Sequence, residues 1–313
     1  MKHNALYLIF IFLGVFILGC DKAEPYDEPE ILETSVSVKG VSSVEFRVST
    51  NFTGNRKLEV EVSQDQSFTN SERYTMIQDG VDHASLTVID LKFGVKYYYR
   101  IIASNSYFTI ESEPKSFKIG AGYYYYGNGK PENRWGYTNT SFTLEWAVML
   151  PPSKLAPFTN SSITKVRTYV GEPGNYTLNL YIGGSTSPST LLLSKNFKAN
   201  SSGWQEISIS SGLLDVNSSL WISIKTTQTA DHYPASYGKG INYVNSRMVC
   251  CNEGDWLDGM YWGNKDFCWL IQAYVKSNSK GENDLEMEIP LMPWDDELQT
   301  AQTTCCVQDL GNP

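Results

Sequence analysis

The stretch from Cys250 to Trp269, CCNEGDWLDGMYWGNKDFCW, holds the densest mixture of acids, amides, glycines and aromatic rings in the chain. Trp256, Tyr261 and Trp262 offer flat apolar rings that can stack on the faces of sugars, while Asp255, Asp258 and Asn264 can bond hydroxyl groups. Polar groups beside apolar ring faces are the usual make-up of a ligand site. The same stretch also reads as scaffold, with Trp262 and Trp269 in a core and the glycines and acids forming turns. Calcium is a second chemistry for it: Asp255, Asp258 and Asp266, with backbone carbonyls, supply hard oxygen ligands toward a shell of about six to eight. Their spacing does not follow the EF-hand pattern. No other cofactor is implied.

Cysteine usage adds a covalent option. Beyond Cys20 the chain has Cys250, Cys251, Cys268, Cys305 and Cys306. Closing the loop between Cys251 and Cys268 with a disulfide would contribute about 3 kcal/mol through loop entropy. Sequence leaves the connectivity open, and the odd number leaves a thiol unpaired within one chain. The C-x-x-C spacing of tetrahedral zinc is missing. A further aromatic group, Tyr123 to Tyr126, precedes a Gly-Asn-Gly turn; alternation leaves at most two rings to offer stacking surface together with Trp135, and core or edge-strand packing is the other role for them.

Catalytic patterns are missing. No G-x-S-x-G elbow, P-loop or dinucleotide fingerprint occurs, and no spacing singles out a carboxylate pair for glycoside hydrolysis. Of three histidines, His83 and His232 are isolated. The chain therefore reads as a binder rather than an enzyme. A net charge of -9 with no block of Lys and Arg excludes nucleic acid and anionic membrane surfaces as electrostatic partners.

The elements that must position these residues are strands. Hydrophobic content is 41%, aromatic content 13%, and tyrosine occurs 20 times, which favours pleated, half-buried surfaces. Period-two alternation recurs at Val44, Phe46, Val48, at Leu58, Val60, Val62 and at Tyr97, Tyr99, Ile101, without helical periodicity. From Gly120 to Lys276 longer alternating runs, such as Phe142 to Leu150, Ile163 to Val170, Tyr176 to Ile182, Leu220 to Thr226 and Ile241 to Val249, are separated by Gly, Asn and Ser and read as strands. The expected fold is all-β, two sandwiches in series. Residues 277–313 form an acidic tail with too few apolar groups for a core of their own, though Ile289 to Trp294 can pack on the second domain.

Three resemblances sharpen this reading. Lys2, the apolar run Ala5 to Leu18 and Ile17-Leu18-Gly19-Cys20 resemble a bacterial lipoprotein signal. The run of about 14 residues is short of the roughly 20 that span a bilayer. The resemblance implies a signal peptide at 1–19, lipidation of Cys20 and a tether over 20–29, placing the protein at the cell envelope, outer membrane and facing outward. Leu91, Gly94, Tyr97 and Arg100 are spaced as at the end of a fibronectin type III domain, which implies such a domain over 30–119 with Tyr97 as its corner tyrosine. Pro151 to Phe158, Ile163 to Val166, Thr177 to Gly184 and Gly203 to Ile207 resemble jelly-roll modules of Bacteroidetes secreted proteins, including cleaved adhesin domains. That implies a jelly-roll sandwich over 120–276.

Together these readings give a lipid-anchored, non-catalytic binding protein whose partner is a glycan or a surface protein. An envelope scaffold subunit and an accessory or hydrolytic component of polysaccharide breakdown are the alternatives.

Overall fold

The computed structural model describes residues 30–51, 56–240, 244–259, 266–279 and 284–290. Cys20, Tyr261, Trp262, Asn264, Cys305 and Cys306 lie outside the described residues, as do the expected signal peptide and tether. The described chain is all-β, with one short helix at Pro152–Leu155 and 3-10 turns at Ala156–Phe158 and Val244–Ser246. No helix among the described residues is long and apolar enough to cross a membrane.

Three sheets make two sandwiches. A four-stranded sheet orders Ile31–Gly40, Ser43–Thr50, His83–Val88 and Ile77–Gln78. It packs on Lys57–Ser63, Ser71–Thr75 and Lys96–Ser104, which belong to a twelve-stranded sheet running through both halves of the molecule. Val44, Phe46 and Val48 face inward from the first sheet, as the alternation requires, and the Phe46 ring meets Tyr99 and Phe117 at 5.0 and 5.6 Å. Tyr97 is the corner tyrosine: its ring is buried against Phe117, and its hydroxyl accepts the Lys92 N–H at 2.9 Å.

The second sandwich sets a six-stranded sheet against the other half of the long one. Its order is Thr190–Ala199, Gly174–Ile182, Leu220–Gln228, Phe142–Leu150, Met248–Cys251 and Trp256–Asp258. Strands distant in sequence are neighbours here, the crossing pattern of a jelly-roll-like sandwich rather than a meander. Leu144, Trp146, Leu178, Leu180, Ile222 and Ile224 point to the shared core. Two hydrogen bonds tie the sheets across it, Tyr126 hydroxyl to Met149 carbonyl and Trp269 indole N–H to Met248 carbonyl, each at 2.8 Å.

The expected boundary at 119/120 falls inside a single strand, Lys115–Tyr125. Its first residues pair with Lys96–Ser104 of the first sandwich and its last with Ile271–Ser277 of the second. Buried apolar residues from both sandwiches form one continuous cluster. Phe158, buried like its neighbour Leu155, sits at the join, where it meets Phe93 at 5.2 Å and Tyr124 at 4.4 Å. Buried Lys118 donates to the Ser279 carbonyl at 2.8 Å, and the Ser279 hydroxyl donates to the Gly94 carbonyl at 2.6 Å. Gly94 has φ +76, and a Cβ there would lie 2.5 Å from the Ser277 hydroxyl, so the motif glycine is required twice over.

Two further expectations are revised. Part of the acidic tail is sheet: Asp284–Pro290 pairs in parallel with Lys115–Tyr125, from Asp284 opposite Lys118 to Pro290 opposite Tyr125. The strand expected over Ile241 to Val249 is, in its described part, a 3-10 turn followed by Met248–Cys251.

Candidate functional site: the outer face of the six-stranded sheet

Alternation gives this sheet a second face, turned away from the shared core. Adjacent positions across its strands are Asn196, Thr177, Lys225, Glu145, Cys250 and Trp256 in one row and Ser194, Asn179, Ser223, Ala147, Met248 and Asp258 in the next. Tyr181, Trp221 and Met149 occupy the following row. The face is graded, apolar around Trp221 and polar around Thr177. At its apolar end Ala147, Met149, Trp221 and Met248 form a separate buried cluster, with Tyr181 and Trp256 packed on it half-buried. Trp256 reaches Trp221 at 5.7 Å between ring centres.

At the border between the two halves sits Glu145, 8% exposed. One carboxylate oxygen, Oε1, accepts from the Asn179 amide at 3.0 Å, the Tyr181 hydroxyl at 3.0 Å and the Ser223 hydroxyl at 2.5 Å. Oε2 accepts none of these bonds, and no cation among the described residues forms an ion pair with either oxygen, although Glu145 helps to raise the pKa of nearby Lys225. A buried carboxylate met only by neutral donors costs stability relative to a paired one. Burial and then the Glu145 charge push the Tyr181 hydroxyl well above its ordinary pKa. Lys225, next to Glu145 across the strands, pairs instead with Glu253 at 2.7 Å; that bond raises the lysine's pKa and lowers the glutamate's.

The residues expected to carry a site from sequence are distributed differently. Trp256 joins the face, while Asp255 is exposed beside it. Asp258 is held by Arg247, a guanidinium only 2% exposed, through contacts of 2.6 and 3.0 Å to its two oxygens. Its carboxylate is therefore committed to a structural ion pair. Asp266 is exposed beyond the following undescribed segment, and among the described residues no three His, Cys, Asp or Glu side chains converge as metal ligands. The expected Asp255, Asp258 and Asp266 calcium set is thus not gathered. Trp135 packs on the core side against Tyr137 at 5.3 Å and Trp269 at 6.4 Å, and of the four tyrosines expected to alternate, Tyr123, Tyr124 and Tyr126 are buried and Tyr125 half-buried.

The expected disulfide is also revised. Cys251 belongs to the six-stranded sheet and Cys268 to the long sheet opposite, so the sandwich separates them. Cys251 accepts the Tyr137 hydroxyl at 3.2 Å, and the Cys268 thiol donates to the Tyr126 carbonyl at 3.2 Å. Cys250, Cys251 and Cys268 are free thiols. Burial raises all three, Cys250 to about 11 and Cys268 to about 12, which keeps them protonated at neutral pH.

Glu145 was missed in the sequence, although a signal existed. In Phe142–Leu150 the outward positions run Thr143, Glu145, Ala147, Met149. Apolar residues on both faces of one strand mark an outer face that is itself covered, and an acid bordering such a stretch is out of place.

No family model matches the chain. No curated relative matches it either. Among solved structures it is similar to the clostridial cysteine protease Cwp84 after propeptide cleavage, at 10% identity over 75% of this chain and 52% of that one, TM-score 0.34. It is likewise similar to the cysteine protease and lectin-like domains of Cwp84, a surface layer associated protein of Clostridium difficile, at 11% identity over 75% and 46%, TM-score 0.33. The FN1–FN3 domains of chicken CNTN1 match at 14% identity over 73% and 61%, TM-score 0.20. The chain spans about half the length of the first two. Likenesses at these scores carry no argument about function.

Proposed function

We propose that this chain is a non-catalytic binding protein of the cell envelope that holds glycan on the outer face of the six-stranded sheet. The observation that supports it is Glu145: a carboxylate 8% exposed, fixed by three neutral donors, lies between an aromatic cluster and a row of amides, hydroxyls and an ammonium. Such a border between ring faces and hydrogen-bonding groups suits a sugar, which has an apolar face and a polar rim. The first sandwich is the spacer in this reading, and a lipid on Cys20 the anchor.

A glycan array with the purified chain and Trp256→Ala tests it. Binding that is lost in the variant, with an unchanged melting profile, supports the reading; absence of any glycan signal overturns it. Reducing ends released from a bound polysaccharide would move the chain to the hydrolytic alternative. Incorporation of labelled palmitate that disappears in Cys20→Ala tests the anchor, and an unlabelled native chain contradicts it.

One observation favours a scaffold role instead. The edge strand Thr190–Ala199 exposes Leu191 and Leu192, each 52%, beside an unpaired backbone edge. A partner strand could add there. Stable co-purification of an envelope protein, lost on placing proline at Leu192, would support it.

A further inference from the structure

We propose that the groove at the polar end of this face takes an anionic group borne on a sugar ring, a carboxylate or a sulfate, with Lys198 as its counter-charge. The inference rests on the glycan reading above and narrows it to acidic glycans. The groove holds ≈ 530 Å³ and is lined by Asn175, Thr177, Asn196, Lys198, Lys225 and Thr227. Tyr176 and Phe197 border it, with their rings, stacked at 5.4 Å, turned inward to the core. Its volume lies within the roughly 300–1,000 Å³ of small-molecule sites.

Charge separates this groove from the rest of the surface. The chain carries -9 overall, yet no Asp or Glu lines the groove. Lys225 is anchored at its rim by Glu253 at 2.7 Å and so contributes position more than free charge. Lys198 is exposed, and its ammonium has no partner among the described residues. The Asn196 carbonyl accepts from the Thr177 hydroxyl at 2.9 Å, which leaves the Asn196 amide nitrogen as a donor without a partner among the described residues. An unpaired ammonium beside an unpaired amide donor is a donor-rich set, and charge-assisted bonds to an oxyanion satisfy both.

The test is calorimetric titration of the full chain with three probes: an oligogalacturonate, its carboxyl-reduced neutral counterpart and a sulfated galactan oligosaccharide. At least one anionic probe is expected to bind fivefold or more tighter than the neutral one, the preference shrinking severalfold in 0.5 M salt because the contact is exposed. Whether carboxylate or sulfate is preferred identifies the anionic group. Lys198→Gln is expected to abolish the preference and Lys198→Arg to restore it. Lys195→Gln, whose ammonium bonds the Ser208 carbonyl at 2.6 Å, serves as the control and leaves it intact. Equal binding of neutral and anionic probes overturns the inference while the glycan reading stands. Binding of none of them overturns the inference, and a blank glycan array besides overturns the reading on which it rests.

Discussion

Among the described residues each sandwich buries one carboxylate on the outward side of a sheet, and the two are treated in opposite ways. Glu61, 3% exposed in the strand Lys57–Ser63, accepts from the Ser71 hydroxyl at 2.6 Å and meets the guanidinium groups of Arg73 at 3.0 Å and Arg100 at 2.5 Å. Arg100 continues to Glu111 at 2.6 Å and stacks on Phe68. Every charge in that network has an opposite within reach. Glu145 has three donors, none charged, and an oxygen to spare. A closed network adds rigidity, which fits the proposed spacer; an acid held by neutral donors, with its nearest ammonium, Lys225, bonded to Glu253, fits the proposed binding face. The difference between the two acids is in their partners, since burial is nearly the same.

The largest expected effect tests whether the two sandwiches are one body. Phe158→Ala removes the ring that joins Phe93 to Tyr124 at the junction. A loss of roughly 3–5 kcal/mol is expected, with the single calorimetric transition of the parent splitting into two. Two transitions in the parent would separate the regions more sharply than the shared strand implies. Next, Asp258→Ala removes the carboxylate that takes two bonds from the buried Arg247 guanidinium, and a loss of about 3 kcal/mol in urea denaturation is expected, as for other broken buried pairs. No loss would return Asp258 to the pool of ligand-binding acids.

Glu61→Gln follows, at roughly 1–3 kcal/mol, the lower end because Arg73 is half exposed. Burial opposes ionisation of Glu61, but Ser71, Arg100 and Arg73 outweigh it and hold its carboxyl below the usual range. A lowered folded value contributes stability above the unfolded pKa, about 4.3, and loses it as pH falls through the folded value. The parent should therefore lose stability below about pH 4.5 more steeply than Glu61→Gln does. Glu145→Gln, by contrast, is expected to change stability by less than about 1 kcal/mol in either direction, because the neutral amide gives up a charge that no ion pair holds and that Lys225 offsets only in part. A loss as large as that of Glu61→Gln would erase the distinction between the two acids.

How much of this was legible in the sequence depends on which pattern carried it. Inward alternation at Val44, Phe46 and Val48 and the Leu91, Gly94, Tyr97 spacing placed the first sandwich and its corner tyrosine, because one face of each strand is buried and the other wet. Phe142–Leu150 was readable to the residue. The tail strand Asp284–Pro290 was obscured by its acidity, although Leu285, Met287 and Ile289 alternate with Glu286 and Glu288 as a strand should. The join at Lys115–Tyr125 was invisible, since one strand shared by two sandwiches looks the same as two strands end to end.

The site was harder to see than the fold. Trp256 was singled out for its type and does lie on the candidate face, packed on Trp221. Asp258 was singled out for the same reason, and its partner Arg247 lies eleven positions away across a hairpin. Glu145, Asn179, Tyr181 and Ser223 meet only because three strands far apart in sequence become neighbours. Local spacing holds no record of such pairing, so acids, amides and hydroxyls scattered one per strand pass as ordinary solvent-facing positions.

The central claim is that Glu145 serves recognition and Glu61 serves structure. It is tested most directly by titrating one glycan that binds the parent chain into Glu145→Gln and Glu61→Gln, at a pH and temperature where both are folded. The account expects at least a tenfold loss of affinity in Glu145→Gln and an unchanged affinity in Glu61→Gln. Equal affinity in both variants would contradict it.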